Sequence, residues 1–239
     1  MFGQRVQDHY ARSGSGSAMA ARIIAALRTH AGADVAITPE TLAPVDHLHG
    51  RGELATQELT ALLEPRPGEA ILDIGSGLGG PARWIATKFD CAVTGVDLTA
   101  EHCDAARELN ATCGVSDRVR ILEGSALALP VPVASFDRAY SHNGVMNIAD
   151  KAGVYREATH EDTHRDLAGA GFDIVTFRDM AAAAEAASAA RRKLEEEGLP
   201  PLGPHVVRAG DGLQMQINSM RAREDGKVCE VQIVARKPG

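Results

Sequence analysis

The sequence contains few aromatic residues, few cysteines and no long apolar run. Phenylalanine, tyrosine and tryptophan make up 4% of its 239 residues, and the four cysteines are scattered without a CxxC pair. The N-terminus lacks the charged-then-apolar pattern of a secretory signal. No apolar stretch approaches the roughly 20 residues that a membrane-spanning helix needs. These absences predict free thiols, a cytoplasmic location and no membrane partner.

Positive charge is also scarce. The chain has 25 lysines and arginines against 32 aspartates and glutamates, so its formal net charge is −7. Proteins that bind nucleic acid usually present a basic patch, and no long basic run occurs here, so we predict no nucleic-acid partner. The hydrophobic content of 44% and charged content of 24% are ordinary for a globular protein. A chain of this length suffices for one sizeable core, or for one core and a cap.

From residue 70 onward, short apolar segments alternate with helical patterns. This alternation is typical of βαβ units in a parallel sheet that is covered by helices on both faces. We therefore predict an α/β fold with a doubly wound, mostly parallel sheet. The predicted strands are ILDI (71–74), AVTGVD (92–97), VRILEG (119–124), FDRAYS (136–141), FDIVTF (172–177) and CEVQIVAR (229–236).

The two ends of the chain differ from this alternating core. The N-terminal part has a helix pattern over 18–30 and a Pro-punctuated segment over 38–45, followed by a helix pattern over 52–63. The last third has an Ala-rich, charged helix over 181–197 and then a Pro/Gly-rich loop, which together form a cap or, alternatively, a solvated surface. The predicted parts are an N-terminal helical lid over 1–51, a core over 52–180, and a C-terminal cap insertion with the final core strand over 181–239.

A glycine-rich turn joins the first predicted strand to a helix. Residues 73–80 read DIGSGLGG, and the missing Cβ atoms of Gly75, Gly77 and Gly79 let the backbone turn tightly and let a ligand approach the helix N-terminus. The second strand ends in Asp97, whose carboxylate suits ribose hydroxyls. Strand, loop, helix and acidic residue together predict a site for an adenosyl-type cofactor.

Two cofactor classes fit this loop. Gly75, Gly77 and Gly80 satisfy the GxGxxG spacing of nicotinamide and flavin enzymes. The Asp73 carboxylate would repel a pyrophosphate, whereas it favours a cofactor that carries an ammonium and a sulfonium. This difference favours S-adenosylmethionine over NAD, and a methyltransferase over an oxidoreductase. A protein that binds the cofactor without turnover is a third hypothesis.

Longer runs around this loop resemble a known family. ILDIGSGLGGPARWIA, VTGVDLTAEHCDAAREL and DRVRILEGSALALPVPVASFDRAYSHNGVMNIADK are similar to the class I S-adenosylmethionine-dependent methyltransferases of small molecules. The resemblance implies in-line transfer of a methyl group to a nitrogen, oxygen or activated carbon of a small-molecule acceptor, and a homodimer is one expectation for the assembly. The cofactor-binding residues that it implies are Asp73, Gly75, Ser76, Gly77 and Gly79 around the methionine part, Asp97 at the ribose, Leu98 on the adenine, Ser125 and Ala126 at the adenine edge, and His142.

Three side chains are candidates for catalysis. His142 lies in YSHNGVMNI, where the fourth strand ends and a base would act if the acceptor arrives protonated. The segment PVDHLHGRG resembles the substrate-side lid of the family, which implies a place near the methionine end for His49. Tyr10 in VQDHY resembles a tyrosine that closes over the cofactor in related enzymes. His47 is a candidate for lining the same pocket.

The sequence HEDTH at 160–164 matches the HExxH pattern of zinc enzymes. No third ligand follows at the extended spacing, and Thr159 with Asp162 suits a helix-capping box instead. We therefore predict no metal, with a zinc hydrolase as the alternative.

The interval between the fourth and the next predicted strand is short. From Ser141 to Gly171 the chain has 31 residues. A helix, a turn, a fifth parallel strand and another helix need roughly 40 to 50 residues. We predict that the fifth strand is missing, either because residues near 158–163 are absent from the sequence, because the strand was deleted, or because another segment replaces it.

Overall fold

The computed structural model describes residues 15–49, 51–143, 160–179, 182–207, 212–225, 231–236 and 238. Contacts divide the chain into a first unit, residues 1–149 with 201–210, and a second unit, residues 150–200 with 211–239. This division reflects compactness alone, so the functional boundaries of lid, core and cap stay a prediction.

The first unit contains a parallel sheet of four strands. β1 (Ala70–Ile74), β2 (Ala92–Asp97), β3 (Val119–Glu123) and β4 (Arg138–Tyr140) lie in the order β3-β2-β1-β4. All three strand pairs are parallel. The chain runs outward from β1 in one direction and returns to its other side for β4, which makes the carboxyl ends of β1 and β4 a switch point where ligands bind.

Helices flank this sheet and build two apolar clusters. Ile71 and Val93 of the strands pack with Ile85 of a following helix, and Leu27 packs with Leu42 in a second cluster nearer the N-terminus. The helices of the first unit are α1 (Gly16–Ala31), α2 (Pro39–Asp46), α3 (Gly52–Leu63), α4 (Gly80–Phe89) and α5 (Ala100–Thr112), with a 3-10 turn at Pro204–Val206.

Helix α2 lies in the Pro-punctuated segment over 38–45, where the prolines indicate an irregular structure. Pro39 lies in the first turn, where a missing N–H costs nothing because it has no partner within the helix. The Thr38 hydroxyl accepts a hydrogen bond of 3.3 Å from the Thr41 amide, and the Thr41 hydroxyl accepts one of 2.9 Å from the Thr38 amide. This reciprocal cap starts the helix, so the Pro-punctuated pattern marks a helix N-terminus.

The second unit combines helices with two strands. Its elements are α6 (His160–Gly169), β5 (Asp173–Asp179), α7 (Ala182–Glu197), α8 (Gly212–Glu224) and β6 (Val231–Arg236). β5 and β6 pair antiparallel, and Arg191 of α7 donates a hydrogen bond of 2.8 Å to Glu224 of α8. Helix α8 corrects the prediction of a plain loop after α7. None of the helices in the described ranges is long and apolar enough to cross a bilayer.

The four-stranded sheet ends at β4. Of the residues between β4 and β5, those that the structure describes, 141–143 and 160–172, contain no strand. β5 and β6 form a separate two-stranded sheet. The described residues thus contain the six predicted strands, and the prediction of a missing fifth parallel strand concerns an interval of which residues 144–159 lie outside the description.

Candidate functional site

The loop after β1 turns sharply at its glycines. Gly75, Gly77 and Gly79 have φ values of +82°, +53° and +71°, which favour glycine because other residues meet a steric penalty there. The amides of Gly75 and Ser76 both donate to the Val96 carbonyl of β2, at 2.8 and 3.1 Å. Helix α4 begins directly after the loop and directs its N-terminal amides toward it.

Asp97 ends β2 and fixes this loop. Its Oδ2 accepts a hydrogen bond of 2.8 Å from the Gly77 amide, and its Oδ1 accepts one of 2.9 Å from the Thr99 amide. Each carboxylate oxygen has a second lone pair. The carboxylate is therefore held rigidly and can still accept hydrogen bonds from the hydroxyls of a ligand.

The other predicted cofactor residues also lie at carboxyl ends of strands. Leu98 follows β2, and Ser125 and Ala126 follow β3, all half-buried. The Ser125 hydroxyl accepts a hydrogen bond of 3.2 Å from the Leu127 amide within its own turn. Because the strands are parallel, these residues share one edge of the sheet with the glycine loop and with His142 after β4.

Asp73 is a buried carboxyl beneath the loop, and no positively charged side chain among the described residues shifts its pKa. Its side chain is buried, and neither its Oδ2 nor the Tyr140 hydroxyl of β4 makes a hydrogen bond of ordinary geometry in the described part of the chain. The pKa of Asp73 is raised from its ordinary value to about 7. Burial is the largest cause and the charge of Asp97 adds to it, whereas the nearby Tyr140 hydroxyl acts in the opposite direction. The Ser76 hydroxyl is likewise buried without a partner. These polar atoms suit a ligand that carries positive charge and hydrogen-bond donors.

The two predicted histidines are in direct contact. The rings of His49 and His142 stack with centroids 3.6 Å apart and planes at 23°, and His47 meets His49 edge-on at 5.6 Å. Burial lowers the pKa of His49 to about 2, and the neighbouring His142 and His47 add to this effect. Burial also lowers the pKa of His142 to about 4. Both rings are therefore neutral near pH 7.

Within the described part of the chain, each of these three rings keeps one buried nitrogen without a hydrogen-bond partner. The atoms are His47 Nε2, His49 Nδ1 and His142 Nδ1. The opposite nitrogen of His47 lies 2.9 Å from Asp46 Oδ1, and that of His49 lies 3.4 Å from the Thr56 hydroxyl. An unsatisfied buried polar group costs about 1–3 kcal/mol. Three of them in one cluster favour a binding site for a polar ligand.

A buried ion pair supports this cluster, and sequence reasoning missed it. Arg83 of α4 donates hydrogen bonds to Asp46 Oδ2 at 2.8 Å, to the Leu78 carbonyl at 2.7 Å and to Asn110 Oδ1 at 2.7 Å. Burial opposes ionisation of Asp46, but Arg83 and His47 offset it, so the pKa of Asp46 lies below its usual value. The available signal was an arginine within the apolar run GPARWIA, where a buried charge requires a partner.

Two predictions concern residues that the structure describes incompletely. Tyr10 lies outside the described residues. In HEDTH, the backbone of His160 through His164 is helical, but the side chains of 160–163 lie outside the description. Among the described side chains, no three histidines, cysteines or carboxylates are placed to hold a metal ion. The zinc interpretation of HEDTH is therefore not tested.

Comparison with known proteins adds independent information on this site. Residues 71–171 match a family model described as a methyltransferase domain. The methyltransferase GfsG of Streptomyces halstedii is 33% identical over 113 residues, which are 47% of this chain and 41% of that protein. The 27-O-demethylrifamycin SV methyltransferase of Amycolatopsis mediterranei is 35% identical over 103 residues, 43% of this chain and 38% of that protein. The chain thus matches about two fifths of the length of these relatives.

One solved structure matches nearly the whole chain. Phosphoethanolamine N-methyltransferase 2 of Haemonchus contortus, solved in complex with S-adenosyl-L-methionine, covers 98% of this chain and 60% of its own with a TM-score of 0.67. The sequence identity is 18%. At this identity the match shows the α/β fold of the chain.

Proposed function

We propose that the protein transfers a methyl group from S-adenosylmethionine to a small-molecule acceptor, because residues 71–171 of this chain match a family model described as a methyltransferase domain. The observation that carries the proposal is the arrangement of Asp73 and Asp97 around the glycine loop. Asp73 is a buried carboxyl whose Oδ2 has no hydrogen-bond partner among the described residues. Asp97 accepts hydrogen bonds from two backbone amides, and its oxygens keep further lone pairs for a ligand.

The residues at the loop fit this cofactor. A cationic ligand would compensate the buried Asp73 carboxyl, whose Oδ2 has no partner in the described chain. Asp97 would accept hydrogen bonds from ribose hydroxyls. Among the described residues, a Cβ atom at Gly77 would contact only Leu48, at 3.6 Å, so no other described side chain covers this part of the loop. The remaining residues proposed to hold the cofactor are Gly75, Ser76, Gly79, Leu98, Ser125, Ala126 and His142.

The protein has to orient the acceptor and exclude water. S-adenosylmethionine supplies a methyl carbon already activated by a sulfonium, so catalysis requires mainly a near-attack geometry. His49 and His142 lie beside the switch point between β1 and β4 and are proposed to face the acceptor. Tyr10 is proposed to close over the site from the N-terminal lid.

The same features disfavour the nicotinamide-dependent alternative. A pyrophosphate at the glycine loop would meet the Asp73 carboxylate, and its negative charge would raise the cost of ionising that group. The two curated relatives named above are methyltransferases. A protein that binds the cofactor without turnover remains the competing hypothesis, because a fold hosts functions that only its site determines.

The acceptor is proposed to be a small metabolite. The name of the Amycolatopsis relative describes a methyltransferase of 27-O-demethylrifamycin SV, and the net charge of −7 of this chain disfavours a nucleic-acid substrate. We further propose that the protein acts in the cytoplasm as a homodimer. Its proposed parts are a lid over 1–51, a core over 52–180 and a cap over 181–239.

Calorimetric titration tests the cofactor assignment. We expect S-adenosylhomocysteine to bind with micromolar affinity and NAD to give no heat. Asp97→Ala should weaken S-adenosylhomocysteine binding by about 10-fold to 100-fold, because a hydrogen bond to a charged group contributes about 1.5–3 kcal/mol. Asp104→Ala, at an exposed carboxylate of α5, is the matched control and should change nothing. Equal affinity of the Asp97→Ala variant and the wild type would show that the ribose assignment is wrong.

A methylation assay distinguishes turnover from binding alone. The protein is incubated with S-adenosylmethionine and mixed small-molecule acceptors that present amines, hydroxyls and activated carbons, and release of S-adenosylhomocysteine is measured. Release that depends on an acceptor supports the proposal. Tight cofactor binding with no release from any acceptor supports the binding-protein hypothesis.

A further inference from the structure

We infer that His47, held by Asp46, accepts a proton from the methyl acceptor, and that the acceptor presents a neutral hydroxyl group as its nucleophile. This inference rests on the proposed function and adds a residue and a substrate class to it. The cluster of His47, His49 and His142 carries it.

The partners of His47 fix which nitrogen is free. Asp46 is an ionised acceptor, because Arg83 donates to its other oxygen at 2.8 Å. The His47 nitrogen 2.9 Å from Asp46 is Nδ1, so Nδ1 donates to the carboxylate and Nε2 is the nitrogen that stays available to a ligand. That Nε2 is buried and has no hydrogen-bond partner among the residues that the structure describes. Asp46 is thus a positioning residue that orients the ring of His47, as a carboxylate orients a catalytic histidine.

The position of His47 matches this role. Asp46 lies so close to α4 that a Cβ atom at Gly80 would come within 2.6 Å of its Oδ1. Leu48 lies 3.6 Å from the Cβ position of Gly77. Both neighbours of His47 therefore touch the glycine loop or the helix that follows it. Residues 46–48 therefore lie next to the part of the glycine loop where the methionine end of the cofactor is proposed to bind.

The chemistry of the cluster selects a neutral donor. Its imidazole nitrogens offer lone pairs, and its charged groups are engaged, since Arg83 pairs with Asp46 and Arg51 with Glu58 at 2.6 Å. Among the described residues of this cluster, a carboxylate or phosphate on the acceptor would meet no uncommitted arginine, and the rings of His49 and His142 are neutral near pH 7. A hydroxyl donates one hydrogen bond to a lone pair and carries no charge to compensate.

The cluster does not suit a metal ion. The in-plane lone pairs of two rings stacked at 23° run nearly side by side, so they do not converge on one ion. The described residues contain no group of three ligands placed for a metal. The unpaired nitrogens of His49 and His142 therefore favour further hydrogen-bond donors on an organic acceptor.

The proposed step balances in atoms and charge. The acceptor oxygen forms a bond to the methyl carbon while the bond from that carbon to sulfur breaks, and the electron pair of the broken bond stays on sulfur. The hydroxyl proton moves to His47 Nε2. The products are a methyl ether, S-adenosylhomocysteine with a neutral thioether sulfur, and an imidazolium that Asp46 stabilises.

Binding of 4-nitrophenol to the protein saturated with S-adenosylhomocysteine tests this inference without turnover. We expect the visible absorption band of the phenolate to appear on binding at pH 6, because His47 takes the proton. His47→Gln should reduce this band at least tenfold and leave S-adenosylhomocysteine affinity within twofold. His30→Gln, at an exposed histidine of α1, is the control and should retain the band.

Further arms of the experiment separate the outcomes. 4-Nitroanisole lacks the proton and should bind at least tenfold more weakly than 4-nitrophenol, and 4-nitrobenzoate should not bind. Absence of 4-nitrophenol binding, tighter binding of 4-nitrobenzoate, or an unchanged band in His47→Gln would overturn the inference.

Two controls keep these results interpretable. If His47→Gln does not fold, nitrogen NMR of the wild type decides, since the His47 Nε2 resonance must shift on adding 4-nitrophenol and its constancy would overturn the inference. Failure of S-adenosylhomocysteine itself to bind would instead overturn the proposed function.

Discussion

Arg83 donates a hydrogen bond of 2.8 Å to Asp46 although both side chains are buried. The pair joins α2, which leads into the histidine segment, to α4, which follows the glycine loop. The same guanidinium holds the carbonyl of Leu78 within that loop. The proposed cofactor and acceptor sides of the site therefore depend on one buried support.

Arg83→Met should destabilise the protein strongly. Removing one partner of a buried ion pair leaves the Asp46 charge uncompensated, and we expect a loss of about 3–5 kcal/mol in the free energy of unfolding, measured by urea titration. Arg107→Met is the matched control, because Arg107 pairs with Asp104 at 2.7 Å on the surface and should lose less than about 1 kcal/mol. Equal losses in the two variants would contradict a special role for Arg83.

Gly95→Ala should perturb the glycine loop from below. A Cβ atom at Gly95 of β2 would lie 2.7 Å from the Cβ and Oγ atoms of Ser76. Overpacking of this kind costs about 1–3 kcal/mol, and we also expect weaker S-adenosylhomocysteine binding by calorimetry. Gly169→Ala is the control, since its Cβ would meet no atom within 4 Å. A Gly95→Ala protein with wild-type stability and affinity would show that strand and loop yield without cost.

Asp73 should make the ligand-free protein less stable as the pH rises. Its pKa is raised from 3.8 to about 7 in the folded state, so between these values the folded protein binds more protons than the unfolded chain, and stability falls with increasing pH. At pH 8, Asp73→Asn should recover up to about 4 kcal/mol. The measurement is urea unfolding at pH 5 and pH 8. A variant that shows the same decline as the wild type would assign the decline to another group.

His49 and His142 should act in the opposite direction. Their folded-state pKa values, about 2 and about 4, lie below the ordinary value of 6.5. Their contribution to stability is present above pH 6.5 and is lost as the pH falls toward those values. Replacing both with glutamine should flatten the decline of the free energy of unfolding between pH 6.5 and pH 4.5, whereas His30→Gln should not. An unchanged slope would mean that the stacked rings are protonated without penalty.

Features that depend on residues close together in the sequence could be predicted from the sequence alone. The glycine loop, the four parallel strands and the position of Asp97 follow from local spacing and alternation. The Arg83–Asp46 pair and the His49–His142 stack join residues far apart in sequence, so their contact depends on tertiary packing that no local pattern encodes. Helix α2 was missed because its prolines signal a break unless the Thr38 cap is considered.

The strand order β3-β2-β1-β4 places most residues proposed to bind the methyl donor apart from those proposed to bind only the acceptor. Most groups proposed for the methyl donor follow β1, β2 and β3, whereas His47 and His49, proposed for the acceptor, lie in the turn after α2. His142 at the end of β4 is proposed to contact both ligands. Exchange of His47 and His49 is therefore expected to change the preferred acceptor and to leave donor recognition at Asp73 and Asp97 in place. The fold separates what must stay constant for methyl transfer from what can diverge between substrates.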